Sequence, residues 1–172
     1  FGAGYFASWA DPELVASIEV ALEAGRRAAA WYAQLGPALG NLLALGFPFY
    51  FAVSTQAPFD YLGDELRGTK EILLDMYRRP AKVKKACERL TALMTRWVLN
   101  KSTPDTQPCV FWPLHKGAEG FLSVDQFEEF YWPSLRDTAL ALIDEGFIPV
   151  FFGEGALGNR LEIIAADLPK GR

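Results

Sequence analysis

Two loops of this 172-residue chain concentrate the residues that can do chemistry. Pro113–Gly120 reads PLHKGAEG, and Phe151–Gly155 reads FFGEG. Each follows a short apolar run, CVFWPL before the first and FIPVFF before the second, and each then breaks into glycine and charge. A buried strand ending in a polar loop is how an α/β enzyme presents its reactive groups. The single histidine, His115, stands at the first break, and Glu154 stands at the second. An imidazole there can serve as general acid, anion contact or metal ligand. The plainer alternative is a histidine that hydrogen-bonds loop backbone, and the strand-end position favours chemistry. Lys116 can meet a substrate carboxylate or pair with Glu119, and pairing with Glu119 is the simpler outcome. Asp60 and Asp64 either join this site or cap the helices that follow, where carboxylates are favoured. Arg160 follows the Glu154 loop closely enough to reach a ligand; otherwise it is structural, as are Arg67 and Arg136. The aromatic cluster Phe127, Phe130, Tyr131 and Trp132 reads as core, and Lys82–Lys85 as a solvated helix face.

The elements that must position these loops follow from capping and periodicity. Phe1–Ala10 reads as a loop. Asp11-Pro12 is a helix start, with Asp as cap and Pro at the first helical position. Leu14, Val15, Ile18 and Leu22 then recur at helical spacing. That helix is expected to run to about Leu35 and stop at Gly36-Pro37, with a second helix from Pro37 to Leu45. Phe47–Val53 is the first strand, aromatic and unbroken as expected when both faces are buried. Thr69 caps a helix through Arg79, and Pro80 starts another, whose apolar stripe is Val83, Cys87, Leu90, Met94 and Trp97. Asn100–Pro108 is a polar linker. Cys109–Leu114 is the second strand. Ser123 with Gln126 forms a capping box, and Leu122 with Phe127 a hydrophobic staple, so a helix begins near Val124. Pro133 kinks or restarts it, and it ends at Gly146. Phe147–Phe152 is the third strand, and a last helix covers about Asn159–Ala166.

Strands separated by helices imply parallel pairing. No GxGxxG follows a strand, which leaves a dinucleotide-binding fold without support. The expected class is α/β: a partial (β/α)8 barrel of about three parallel strands with flanking helices. The active site of such a barrel lies at the strand carboxyl ends. Three strands cannot close a barrel and would leave bare edges. The chain also begins at Phe1 and stops at LPKGR. Residues 1–172 are therefore expected to be one incomplete barrel domain, a fragment of a longer protein.

Composition excludes disorder and allows one domain with a packed core: the chain is 51% hydrophobic and 14% aromatic, with a net charge of −4. An acidic chain lacks the basic face that nucleic acid requires. The longest uncharged apolar run, Leu42–Val53, is too short to span a membrane and carries Gly46 and Pro48. Cys87 and Cys109 have no partner at ligand spacing, so neither a zinc ribbon nor a disulfide framework is legible. A reducing, cytoplasmic setting is expected.

The stretches APFDYLGDELRG (Ala57–Gly68), HKGAEGFLSVDQFEEFYWPSLRD (His115–Asp137) and FFGEG (Phe151–Gly155), in that order and spacing, resemble the uroporphyrinogen decarboxylase superfamily. That superfamily holds the decarboxylases themselves and corrinoid-linked methyltransferases. The resemblance implies a (β/α)8 barrel of roughly twice this length, of which the chain is the middle. It also implies carboxy-lyase chemistry on a tetrapyrrole without metal or organic cofactor, and a homodimer. At the substrate-contacting tyrosine of the decarboxylases this chain has Asp64. At their carboxylate-binding serine it has Gly117. Their FxKG strand end matches Phe152-Gly153-Glu154-Gly155, with Glu154 in place of lysine. The methyltransferase branch binds zinc through His-x-Cys-Gly at the same strand end, where Phe152 and Glu154 stand here. Strand-end position and resemblance together make His115, Glu154 and Asp64 the catalytic candidates. Asp60, Lys116, Gly117, Phe152 and Arg160 are the substrate contacts. The alternative is a zinc ion on His115 and Glu154 with a corrinoid protein as partner. A second alternative is a barrel piece without activity of its own.

Overall fold

The structure, a computed structural model, describes residues 3–47, 53–104 and 108–171. The chain divides into two units, residues 1–49 and 50–172.

The first unit is helical. Helix α1 spans Ala3–Ala7 and a 3-10 turn spans Ser8–Ala10, so the expected N-terminal loop is instead helical. Helix α2 spans Pro12–Ala44. Its start is the expected one: Asp11 Oδ1 accepts from the N–H groups of Glu13 and Leu14 at 3.0 and 3.1 Å. Its end is not. Pro37 lies inside one continuous helix rather than between two. Proline removes a single backbone donor, and the hydrogen-bond ladder resumes beyond it. The apolar spacing of Leu14, Val15 and Leu22 does mark a helix, yet α2 buries none of its residues. Local terms hold it: alanine propensity, the cap, and Glu23 bridging Arg26 and Arg27 at 2.9 Å each.

The second unit carries the sheet. Strand β1 is Val53–Ser54, β2 is Cys109–Leu114 and β3 is Ile148–Gly153. They pair in parallel in the order β1-β2-β3. Register sets Val53 beside Val110, and Trp112 beside Phe151. Of the expected strand over 47–53, residues 48–52 lie outside the described residues, and Phe47 is not in a strand. The connections are helical, as parallel pairing demands. Between β1 and β2 come α3 (Pro58–Tyr61), a π-turn over Leu62–Leu66, α4 (Thr69–Arg78) and α5 (Pro80–Leu99). Gly68, not Thr69, is the cap of α4. Between β2 and β3 come α6 (Val124–Gln126), a π-turn over Phe127–Tyr131 and α7 (Trp132–Asp144). Helix α8 (Arg160–Asp167) follows β3.

The capping box forms as read, with Ser123 and Gln126 each accepting the other's backbone N–H. The π-turn carries the chain into Pro133: the Trp132 N–H reaches back to the Phe127 carbonyl, and α7 restarts there. One face of the sheet, Val110, Trp112 and Leu114, is fully buried together with Phe127, Leu135 and Leu142. The stripe of α5 that enters this core is Val83, Cys87, Leu90, Met94 and Val98. Val98 replaces the expected Trp97, which is 53% exposed. The other sheet face is half open. Phe111, Pro113 and Val150 are partly buried there, and Ile148 and Phe152 are exposed. Among the described residues no helix is long and apolar enough to cross a membrane.

These two units respond differently to truncation. Leu135→Ala empties a fully buried position and is expected to cost about 2–5 kcal/mol, read as a shift of the urea midpoint. Leu22→Ala, on a helix that buries nothing, is expected to change stability by no more than about 0.5 kcal/mol.

Candidate functional site

The loops after all three strands meet at the carboxyl end of the sheet. The Thr55 N–H bonds the Phe111 carbonyl at 2.9 Å, which continues the β1–β2 ladder into the first loop. The Glu154 N–H bonds the Leu114 carbonyl at 3.3 Å, and the Glu119 N–H bonds the Ala156 carbonyl at 2.7 Å. The second and third loops are thereby braced together.

Asp60 is the centre of this arrangement. It is completely buried. Its carboxylate accepts the backbone N–H of His115 at 3.0 Å, that of Lys116 at 2.9 Å and the Tyr131 hydroxyl at 2.5 Å. Burial pushes its pKa up, and the Tyr131, Lys116 and His115 hydrogen bonds oppose the rise. Burial likewise drives the Tyr131 phenol well above its usual range, helped by the Asp60 charge. Sequence reasoning placed Asp60 among substrate contacts; the structure turns it inward, where it grips the loop that carries His115.

Asp64 lies four residues on, within the π-turn, and both carboxylates address the same loop. Asp64 Oδ2 is 2.8 Å from His115 Nδ1, and Oδ1 takes the ammonium of Lys116. The other imidazole nitrogen, Nε2, is 3.3 Å from Glu154 Oε1. A ring with a carboxylate at each nitrogen has acceptors for both N–H groups, which suits the imidazolium. Burial works against that charge, but the Asp64 hydrogen bond and the charges of Asp60, Glu154 and Asp64 outweigh it and raise the His115 pKa. For Asp64 burial also opposes ionisation, and the Lys116 and His115 hydrogen bonds prevail, so its pKa falls.

Lys116 is buried, and its partner is Asp64 rather than the expected Glu119. Its ammonium also lies 5.8 Å from the Phe121 ring centroid. Two glycines make room. A Cβ at Gly63 would stand 2.9 Å from Lys116 Cε, and one at Gly117 would stand 2.7 Å from Tyr131 Cε1. Gly117 is thus a flat surface for the Tyr131 ring, at the position where the resemblance placed a substrate contact.

The structure therefore brings together His115, Glu154, Asp64, Asp60, Lys116 and Gly117. It does not bring in Arg160, which is buried elsewhere. Arg160 donates to the Leu122 carbonyl, lies 3.8 Å from Glu119 and stacks 5.6 Å from the Phe127 centroid. Phe152 lies on the open sheet face, its ring 5.8 Å from Phe111. Neither Asp60 nor Asp64 caps a helix by its side chain. Tyr131 is the functional residue that sequence reasoning missed. Its signal was a phenol inside an apolar helical cluster, because a buried tyrosine hydroxyl requires a partner.

A zinc ion does not fit the described residues. His115 Nε2 and Glu154 Oε1 have the separation of two neighbouring ligands, which for a tetrahedral ion is roughly 3.4 Å. Yet among the described residues no three potential ligands converge, and a zinc site takes three or four from the protein.

The His115–Asp64 pair makes stability depend on pH. A raised imidazole pKa gives stabilisation that is fully present below the unfolded value of about 6.5 and is lost as pH rises through the folded value. A lowered Asp64 pKa gives stabilisation present above about 3.9 and lost as pH falls through the folded value. The pair therefore supports the fold best between about pH 4 and 6.5. Titration of the His115 ring by NMR is expected to give a pKa above the free-histidine value, and Asp64→Asn to bring it down. Tyr131→Phe is expected to cost about 1–3 kcal/mol in urea melts, because Asp60 loses a donor inside the core. No protein-family model, curated protein or solved structure matches the chain.

Proposed function

We propose that the chain is a sector of a (β/α)8 barrel of the uroporphyrinogen decarboxylase superfamily, and that its site removes CO₂ from an acetate arm of a tetrapyrrole. The barrel reading is supported by three parallel strands in chain order, helices over one face and an apolar second face bearing Phe111, Pro113 and Phe152. Such a face suits the inside of a barrel.

One observation carries the chemistry: an imidazole held between Asp64 and Glu154 at the strand carboxyl ends. A pyrrole acetate loses CO₂ only when the ring can accept the electron pair of the breaking bond. Protonation of a ring carbon creates that acceptor. His115, whose charged form is favoured, is the proton donor. Glu154, 47% exposed, faces the solvent side and stabilises the cationic ring. The C–C bond then breaks, CO₂ departs and its electron pair neutralises the ring. A second proton at the exocyclic carbon, with loss of the first, leaves a methyl group. The net change is one proton taken up and one CO₂ released per acetate. Asp64, with the charges of Asp60 and Glu154, favours the charged form of His115 in a site organised before substrate arrives, which is where electrostatic catalysis gains most. The described site has no guanidinium for the substrate carboxylates, since Arg160 is engaged elsewhere.

The test is anaerobic incubation of the full-length protein with uroporphyrinogen, following CO₂ release. His115→Gln is expected to lower turnover by about 10²–10⁴-fold, and Glu154→Gln to lower it as well. Unchanged turnover in His115→Gln overturns the assignment of the proton donor. Absence of turnover, together with stoichiometric zinc lost in both His115→Ala and Glu154→Ala, turns the assignment to the methyltransferase branch with its corrinoid partner.

A further inference from the structure

The two carboxylates on the His115 ring are not held alike. Nδ1 lies 2.8 Å from Asp64 Oδ2, and Nε2 lies 3.3 Å from Glu154 Oε1. The Asp64 side chain is 24% exposed, and its other oxygen is engaged by the buried Lys116 ammonium. The Glu154 side chain is 47% exposed, and among the described residues its ion-pair partner is the imidazole alone. The remaining charge facing this loop is that of Asp60, from α3, which accepts the His115 and Lys116 N–H groups and the Tyr131 hydroxyl.

Two backbone bonds tie the loop that carries Glu154. The Glu154 N–H donates to the Leu114 carbonyl at 3.3 Å, and the Ala156 carbonyl accepts the Glu119 N–H at 2.7 Å. Gly155 lies close against Ala118, where a Cβ would stand 2.9 Å from the Ala118 Cβ. Residues 154–156 are otherwise exposed.

An imidazolium donates from both nitrogens, whereas a neutral imidazole has one N–H and one lone pair. Loss of a proton therefore leaves one of the two carboxylates facing a lone pair. Nδ1 is the nitrogen that keeps its proton, because Asp64 is nearer, less exposed and held in place by Lys116. Nε2 and Glu154 Oε1 then confront each other as two acceptors with no hydrogen between them. Glu154 regains its hydration by turning outward, while Asp64 could leave only by abandoning a buried ammonium.

We infer that His115 is a proton-operated latch on the loop after β3: doubly protonated it ties Glu154 to the site, and neutral it keeps Asp64 and releases Glu154. Burial opposes the charge of the ring, but the Asp64 hydrogen bond and the charges of Asp60, Glu154 and Asp64 prevail and raise the His115 pKa. The latch is therefore closed below the ordinary imidazole value of about 6.5 and opens as pH rises through the folded value. Its use in catalysis rests on the decarboxylase reading; the latch itself is read without substrate, so each can fail while the other stands.

The test is NMR on the full-length protein across the His115 titration. Ring nitrogen shifts are expected to show the neutral form protonated at Nδ1. Exchange of the Glu154 and Glu119 amides, corrected for the intrinsic rate at each pH, is expected to quicken about two- to fivefold as the ring is neutralised, the size set by a half-exposed ion pair. The Lys116 amide, held by Asp60, is expected not to respond. Glu154→Gln is expected to abolish the response, because an amide accepts from the charged ring and donates to the neutral one. A neutral ring protonated at Nε2 overturns the inference, as do Glu154 and Glu119 amides that ignore the His115 midpoint. An equal response of the Lys116 amide, which marks general loosening, overturns it too. A response that survives in Glu154→Gln overturns the role of Glu154.

Discussion

The site depends on a carboxylate with no exposed surface. Asp60 is sealed in the core and is satisfied by two backbone N–H groups and one phenol. The backbone N–H groups belong to the two residues that carry the site's positive charge, so the grip of Asp60 determines where His115 and Lys116 begin. Its cost is the burial of an acid, which the raised pKa reflects. Three hydrogen bonds to the ionised form offset that cost. A loop fixed by its main chain leaves its side chains free to be arranged by charge.

Charge then does the arranging. Lys116 is buried and so requires a counter-ion, because an unpaired buried ammonium is far more expensive than a paired one. Asp64 supplies it and uses its second oxygen on His115. Glu154 comes to the far side of the same ring from another strand end. Lys116, Asp64, His115 and Glu154 pair in that order across three loops, and Asp64 and His115 each favour the other's charged form. The structure locates the exposed end of this chain of charges at Glu154 and His115, and its buried end at Lys116.

The parts legible in sequence were those with local causes. The capping box at Ser123, the prolines opening α5 and restarting α7, and the apolar runs of β2 and β3 are all written in neighbouring residues. The gathering of His115 and Glu154 was legible too, because parallel strands bring their carboxyl ends together whatever the intervening sequence. What escaped were choices made between distant elements. Nothing near Lys116 says that its partner is Asp64, 52 residues back, rather than Glu119, three residues on. Nothing near Tyr131 says that its hydroxyl reaches Asp60 rather than solvent. Arg160 is a similar case: a guanidinium after a site loop looks available, but the Leu122 carbonyl and the Phe127 ring occupy it. The continuation of α2 through Pro37 is the opposite case: a strong helical run outweighs the local rule that proline ends a helix.

The exposure of α2 along its length has a dynamic consequence. A helix with no buried residue is held mainly by local terms, so its hydrogen exchange follows local fraying. Fraying from either end is a run of short openings, each set by the propensity and pairing of a few residues. At Pro37 the ladder is one rung short, so openings that start at Ala44 reach that gap at less cost than openings that start at Pro12 reach the middle. Helix α2 is thus two segments in time although it is one in space: a slower-exchanging stretch held by Asp11 and the Glu23 pairs, and a faster-exchanging stretch beyond Pro37.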